Sequence, residues 1–386
     1  MERTSPFRRK TVENNHQERA VFRLFRSNLY WNEYAVIENG TRYYVHRYVV
    51  QNEDGQAVPS RLTSMEAILE EIQRAGDSEM GVPGTDRLVP HKTGVDHYVE
   101  MPLGISLSKL VHRAGALRVP FVASVLASLC RALEPIHREG KGHGGIHPES
   151  ILVNKDGSLT VLHTERHQLL SEIHGEIVFP CNLWQHLFPF PSHIAPENFS
   201  GYRPNPSSDL FAIAALGFFM LTGSEPYVGG DSMEVASSIR SGACPDIREF
   251  RRELSPTLSR GLQAGLSRYP HDRSTTPLDW VGMTFGELSS LDPIEKVLPP
   301  YHHALNDWFY DAYFRTVVEP EPVDPNVVKW MLGGEAGAPS ALSLSDALRN
   351  SSSTRHRSRT IVRSLMVISL LVGGIGFTLL YFFIRL

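Results

Sequence analysis

Residues 364–384, SLMVISLLVGGIGFTLLYFFI, carry no charged side chain. At about 1.5 Å of rise per residue, a helix of this length spans roughly 30 Å, the thickness of bilayer hydrocarbon. Backbone polar groups in lipid must be satisfied internally, so such a run is constrained to be a helix. A core helix of a globular domain is rarely apolar on every side over this length. The sequence therefore predicts a C-terminal transmembrane helix, with the rest of the chain folding ahead of it. Arg355, Arg357, Arg359 and Arg363 precede the run, and Arg385 alone follows it. The positive-inside rule then places residues 1–363 in the cytoplasm, as a single-pass, tail-anchored membrane protein.

The chain has 386 residues, 41% hydrophobic and 21% charged, which suits globular rather than disordered structure. Its formal net charge of -4 speaks against a nucleic-acid binder. Cys130, Cys181 and Cys244 are far apart and form no C-x-x-C pair. That pattern predicts neither a disulfide framework nor a structural zinc site, and it fits a reducing compartment. The N-terminal MERTSPFRRK is basic, but no apolar stretch follows it, so no secretory signal is predicted.

Residues 22–50 read as strands: Tyr34–Ile37 and Arg42–Val50 are rich in aromatic and β-branched side chains, with a turn signal at Glu38-Asn39-Gly40. A helix is predicted from Ser64, with Met65, Ile68, Leu69 and Ile72 on one face and Gly76 as its stop. Residues 97–111 read as a strand, a bend and a helix start. Val119–His137 is an amphipathic helix whose last turn Pro135 should kink, with Gly140 and Gly142 ending it. Ile151–Val153, the Asp156-Gly157 turn and Leu159–His163 make a hairpin. Ser208–Leu221 is apolar nearly all round, too short for a bilayer and suited to the middle of a domain; Ser207, Ser208 and Asp209 are its candidate N-caps and Gly223 its stop. Strands early and helices later predict an α+β chain with a small β-rich lobe and a larger helical one.

The run His143-Gly144-Gly145-Ile146-His147-Pro148-Glu149-Ser150-Ile151-Leu152-Val153 resembles the catalytic loop of protein kinases, whose pattern is roughly H-R-D-L-K-P-E-N-I-L-V. Further landmarks follow in order. Ala195-Pro196-Glu197 is similar to the A-P-E motif. Asp209 begins a stretch like the family's next helix, which ends in Leu221-Thr222-Gly223-Ser224-Glu225-Pro226-Tyr227. Arg273 matches the late arginine that pairs with the A-P-E glutamate, and Leu103–Leu107 fits the segment after the hinge. The resemblance covers about residues 20–290 and rests on collinear motifs rather than on a single one.

The resemblance implies a bilobal kinase-like fold and, at the same time, a loss of catalysis. Phosphoryl transfer needs held phosphates, Mg²⁺ and a carboxylate beside the attacking hydroxyl. Gly145 stands at the catalytic Asp position, His147 at the loop Lys and Ser150 at the metal-binding Asn. His163-Thr164-Glu165 replaces D-F-G, with Glu165 two positions past the metal carboxylate. Gly40 is the one glycine before residue 50, so a glycine-rich loop is missing, and Arg26–Trp31 is bulky where backbone N–H groups would cover phosphates. The Lys of V-A-I-K maps to Arg47 or, one residue off, to His46, because strand alternation fits both. Glu66, Glu70 or Glu71 would be its ion-pair partner. His143, Glu197, Asp209 and Arg273 take structural roles in this reading.

With 17 histidines in the chain, His147 and His163 are read as coincidence rather than as a metal pair. No cofactor is expected, and ATP with Mg²⁺ is the ligand that would overturn this. Segment 166–194 has no threonine and is full of large apolar residues, among them Phe179, Trp184 and Phe190, which suits packing or docking better than a phosphorylation switch. The expected organisation is a tail at 1–20, a small lobe at 21–101, a large lobe at 102–300 and an extension at 301–345. A Ser/Arg-rich linker at 346–363 and the helix at 364–384 complete it. The expected function is a membrane-anchored pseudokinase scaffold or regulator, with protein partners and no nucleic acid; the alternative is an atypical membrane-anchored Ser/Thr kinase. The oligomeric state stays open at this point.

Overall fold

The computed structural model describes the strands at 19–27, 31–38, 41–49, 85–91 and 94–100, and residues 104–162, 190–273 and 275–310. The helix expected at 64–76, His163 to Glu165, most of segment 166–194, the region 311–345, the linker and the expected membrane helix at 364–384 lie outside the described residues.

The first five strands are β1 (Arg19–Ser27), β2 (Trp31–Glu38), β3 (Thr41–Val49), β4 (Thr85–His91) and β5 (Gly94–Glu100). They form one antiparallel sheet in the order β1-β2-β3-β5-β4. Strands β2 and β3 pair antiparallel down to Glu38 opposite Thr41; Asn39 and Gly40 of the expected turn lie outside the described residues. Val36, Val45, Tyr98 and Val99 are buried, and the Tyr43 and Tyr98 rings meet edge to face at 5.8 Å. Aromatic and β-branched side chains of this kind suit a pleated, half-buried surface.

A second, three-stranded sheet joins β6 (Gly104–Ser106) to the hairpin of β7 (Ile151–Asn154) and β8 (Leu159–Val161). Ser106 caps α1 (Leu107–Ala114) by accepting from the Lys109 N–H. Helix α2 (Val119–Arg138) runs one residue past His137, so Pro135 does not end it; Glu139 caps it. Among the described residues, α2 is the one helix that would qualify as a membrane span by length and apolarity. Its side chains instead fill the large-lobe core, with Val122, Val125, Leu126 and Leu129 wholly buried.

The centre of that core is α3 (Pro206–Thr222), buried on all sides through Leu210, Phe211, Ile213 and Leu216. Its cap differs from the sequence expectation. Asn205, rather than Ser207, Ser208 or Asp209, accepts from the N–H groups of Ser207 and Ser208, and the Ser208 hydroxyl accepts from the Asn205 N–H. Pro206 in the first turn fixes the entry, and Gly223 ends the helix at φ 76°. Asp209 is excused from capping because its carboxylate is used elsewhere, as described below.

Helices α4 (Ser232–Ser241), α5 (Pro256–Gly265), α6 (Pro277–Phe285), α7 (Ile294–Val297) and α8 (His302–Tyr310) complete the large lobe. The core does not stop at residue 300. The Tyr301 ring packs on Phe121 at 4.7 Å, its hydroxyl accepts from the Arg118 N–H at 2.9 Å, and Ala304 and Leu305 are buried in the same cluster. The first residues of the expected extension are thus part of the lobe, because Tyr301 satisfies an orphan donor at the start of α2.

Candidate functional site

The loop between α2 and β7 carries the residues that the sequence singles out. Its shape is set from beneath by one buried carboxylate. Asp209, in the first turn of α3, accepts the backbone N–H of His143 at 2.7 Å and that of Gly144 at 3.0 Å. His137, in the last turn of α2, lies 2.8 Å from the same carboxylate. Charge-assisted bonds of this kind are roughly twice as strong as neutral ones, so Asp209 locks the loop to two helices at once.

Gly142 makes that approach feasible. Its N–H bonds the Pro204 carbonyl at 3.1 Å, and a Cβ there would lie 2.5 Å from the Asn205 nitrogen. Only glycine lets the loop come so close to the entry of α3. His143 is buried and accepts the Gly145 N–H on Nδ1 at 3.1 Å. Among the described residues, a Cβ on Gly145 would meet only the His143 ring, at 3.5 Å. Gly145 brings no side chain to this point of the loop.

Ser150 is wholly buried and spends its hydroxyl inside the loop. It accepts from the His147 N–H at 3.0 Å and donates to the His147 carbonyl at 2.9 Å. Its own carbonyl accepts from Leu162, the last described residue before His163. His147 accepts the Glu149 N–H on Nδ1 at 3.2 Å, and its ring stacks on Phe190 with centroids 4.9 Å apart. The loop is thus a hydrogen-bonded turn closed by an aromatic stack.

In the small lobe, Arg47 and Asp96 form a buried fork, with Nε to Oδ1 at 2.6 Å and Nη2 to Oδ2 at 2.7 Å. They sit opposite each other on β3 and β5, so they share a face of the sheet. His46 sits opposite His97, with ring centroids 5.8 Å apart, and side chains alternate along a strand. His46 and Arg47 therefore occupy opposite faces, which separates the two assignments for the V-A-I-K lysine. Arg47 takes its carboxylate from the neighbouring strand; the expected helix partners Glu66, Glu70 and Glu71 are outside the described residues. Sequence reasoning missed Asp96, although an aspartate between Val95 and the aromatic and β-branched residues Tyr98 and Val99 is itself a signal.

Glu197 and Arg273 form an ion pair at 2.7 Å, with Arg273 buried and the Glu197 side chain 8% exposed. Arg273 also donates to the Ser207 carbonyl at 2.6 Å and lies 5.5 Å over the Phe211 ring, which ties the A-P-E segment to the start of α3. Beside it, Ser192 donates to Glu225, and His193 Nε2 lies 2.9 Å from the same carboxylate. Burial pushes the Glu225 carboxyl up, but the His193 imidazole and the bonds from His193 and Ser192 outweigh it and hold the group below its usual range. Among the described residues no group of three or more His, Cys, Asp or Glu is placed to hold a metal.

No family model matches the chain. Among curated proteins, the serine/threonine-protein kinase PknE of Mycobacterium tuberculosis is 25% identical over 205 residues, covering 50% of this chain and 34% of that protein. The drp72 serine/threonine-protein kinase of Corynebacterium efficiens is 26% identical over 144 residues, covering 37% of this chain and 26% of its own length. PknB of Mycolicibacterium smegmatis is 22% identical over 174 residues, covering 45% and 27%. The chain thus spans about a third or less of the relatives it matches, from 26% to 34% of these three. Among solved structures, Rad53 1-466 in complex with AMP-PNP superposes with a TM-score of 0.53 at 16% identity, covering 70% of this chain and 65% of that one. The relatives are Ser/Thr protein kinases, and the fold is the bilobal, α+β fold of a protein kinase.

Proposed function

We propose that this chain is a pseudokinase: a kinase-shaped binding module that does not transfer phosphate, held at the cytoplasmic side of a membrane by residues 364–384. The observation that carries this reading is Gly145. Its backbone N–H is bound by His143, among the described residues a Cβ there would meet only the His143 ring, and it offers no carboxylate to orient an attacking hydroxyl. Ser150, at the metal-binding position, is committed to the His147 backbone, which supports the same reading. Arg47, one of the two lysine-equivalent candidates, is closed into a fork with Asp96 and is not presented to a phosphate. The polar groups that hold the fold, Asp209, Glu197 and Arg273, are paired, whereas the groups that would move a phosphoryl are absent or occupied.

The alternative is an atypical, membrane-anchored Ser/Thr kinase, favoured by the names of the relatives. Two measurements separate them: thermal unfolding of the chain with millimolar ATP, with and without Mg²⁺, and incorporation of label from γ-labelled ATP into the chain and into generic acceptor proteins. A ligand that binds only the folded state stabilises it by about 2.7 kcal/mol at a hundredfold excess over Kd. The pseudokinase reading expects no label and no Mg²⁺-dependent shift. Stoichiometric label transfer would refute it, and Glu165 would then be the first residue to replace.

A further inference from the structure

A groove of about 590 Å³ opens on the large lobe between segment 196–205, the end of α4 and the turn after α5. Arg240 and Arg268 line it together with Tyr202, Tyr269 and Pro270, and Glu197 contributes to its floor. The two arginines are held in place without acids. Arg240 lies 5.8 Å over the Phe199 ring. Arg268 lies 4.5 Å over the Tyr269 ring and donates to the carbonyls of Arg240 at 3.2 Å and Ser241 at 3.4 Å. Among the described residues neither has a carboxylate partner, and the one carboxylate lining the groove, Glu197, is already neutralised by Arg273. The groove is therefore cationic on a chain whose net charge is -4. Tyr202 is 68% exposed, so its phenol ring borders the cations open to water, whereas the Tyr269 ring is already stacked with Arg268 and His271.

We propose that this groove docks an acidic, proline-containing segment of a partner protein. This deepens the pseudokinase reading, on which it rests, by naming the chemistry of the partner. Guanidinium groups fixed by stacking and by carbonyl bonds lose little freedom on pairing with carboxylates. Proline rings pack on exposed aromatic faces, and a polyproline II strand enters such a groove already ordered. The volume lies within the about 300–1,000 Å³ of ligand sites, enough for a few residues of extended chain.

The test is a fluorescence-anisotropy titration of the full chain with a labelled peptide of alternating glutamate and proline, beside a lysine-proline peptide of equal length. The expected result is saturable binding of the acidic peptide alone, weakened tenfold or more by Arg240→Glu with Arg268→Glu and severalfold by Tyr202→Ala. All three side chains are exposed, so the thermal midpoint should stay unchanged. Equal binding of the lysine peptide, binding that survives the double change, or no saturable binding overturns the proposal. Arginine-dependent binding to phosphatidylserine vesicles without peptide binding also overturns it, by assigning the groove to a lipid surface. Label transfer from ATP is read separately: a chain that binds the peptide and transfers phosphate keeps the groove and loses only the non-catalytic reading. A chain that does neither loses the groove alone.

Discussion

The imidazole of His147 lies nearly flat against the phenyl ring of Phe190, with planes 21° apart. The contact joins the loop after α2 to the segment that leads into Ala195-Pro196-Glu197. An aromatic pair of this kind contributes about 0.5–1.5 kcal/mol beyond the area it buries. A lysine at 147 would place a hydrated, mobile charge against the phenyl face, so the two residues suit each other rather than an ionic substrate. The stack holds the loop in place, and on the pseudokinase reading proposed above the loop does no chemistry.

Gly145→Asp tests that statement directly. Among the described residues a Cβ at this position meets only the His143 ring, at 3.5 Å, so the change should fold normally and shift stability by less than about 1 kcal/mol. It should not restore phosphotransfer, because Ser150 remains hydrogen-bonded to His147 and the sequence still lacks the D-F-G carboxylate. The thermal midpoint and label incorporation from ATP check both halves.

Asp209→Asn should be far more damaging than its size suggests. The carboxylate accepts from His143 and Gly144 and faces His137, and an amide would turn an NH₂ toward one of these donors. Bonds to a charged group contribute about 1.5–3 kcal/mol each, so a loss of about 2–4 kcal/mol is expected in urea denaturation. A change below about 0.5 kcal/mol would show that the loop is held by other contacts.

Glu197→Gln and Arg273→Met each strand a buried partner, since the two side chains are 8% and 0% exposed. Each should cost about 3–5 kcal/mol, whereas the double variant should cost much less than the sum. A double-mutant cycle on chemical denaturation reads this coupling. Additive losses would mean that the pair contributes no interaction of its own.

Glu225 carries a pH signature. Its folded carboxyl titrates below the reference of 4.5, so it contributes stability above that pH and loses it as the pH falls through the folded value. Wild type and Glu225→Gln should therefore differ most near neutrality and converge in acid. Unfolding midpoints measured between about pH 3 and 7 check this. A gap that stays constant across the range would remove the His193 and Ser192 contacts as its cause.

Much of the architecture was legible because burial leaves a local period. The aromatic and β-branched richness of Tyr34–Ile37 and Arg42–Val50, the all-round apolar run of Ser208–Leu221 and the hairpin of Ile151–Val153 with Leu159–Val161 each declare their element by what neighbouring residues share. The absence of a carboxylate at 145 is likewise a fact of sequence, and no fold can supply it. What tertiary structure decided was which polar groups meet. The sequence offered Asp209 as a helix cap, but its carboxylate reaches a loop some 65 residues earlier, and Asn205 caps in its place. It left Arg47 and His46 equivalent, because a strand pattern does not say which face a neighbouring strand's acid will occupy; the β3–β5 register sets Asp96 opposite Arg47. Nor could it bring Phe190 onto His147 or set Arg240 beside Arg268, since residues distant in sequence meet only when helices pack. Periodicity encodes which side is buried, and only packing in three dimensions assigns each buried charge its partner and leaves others open to bind.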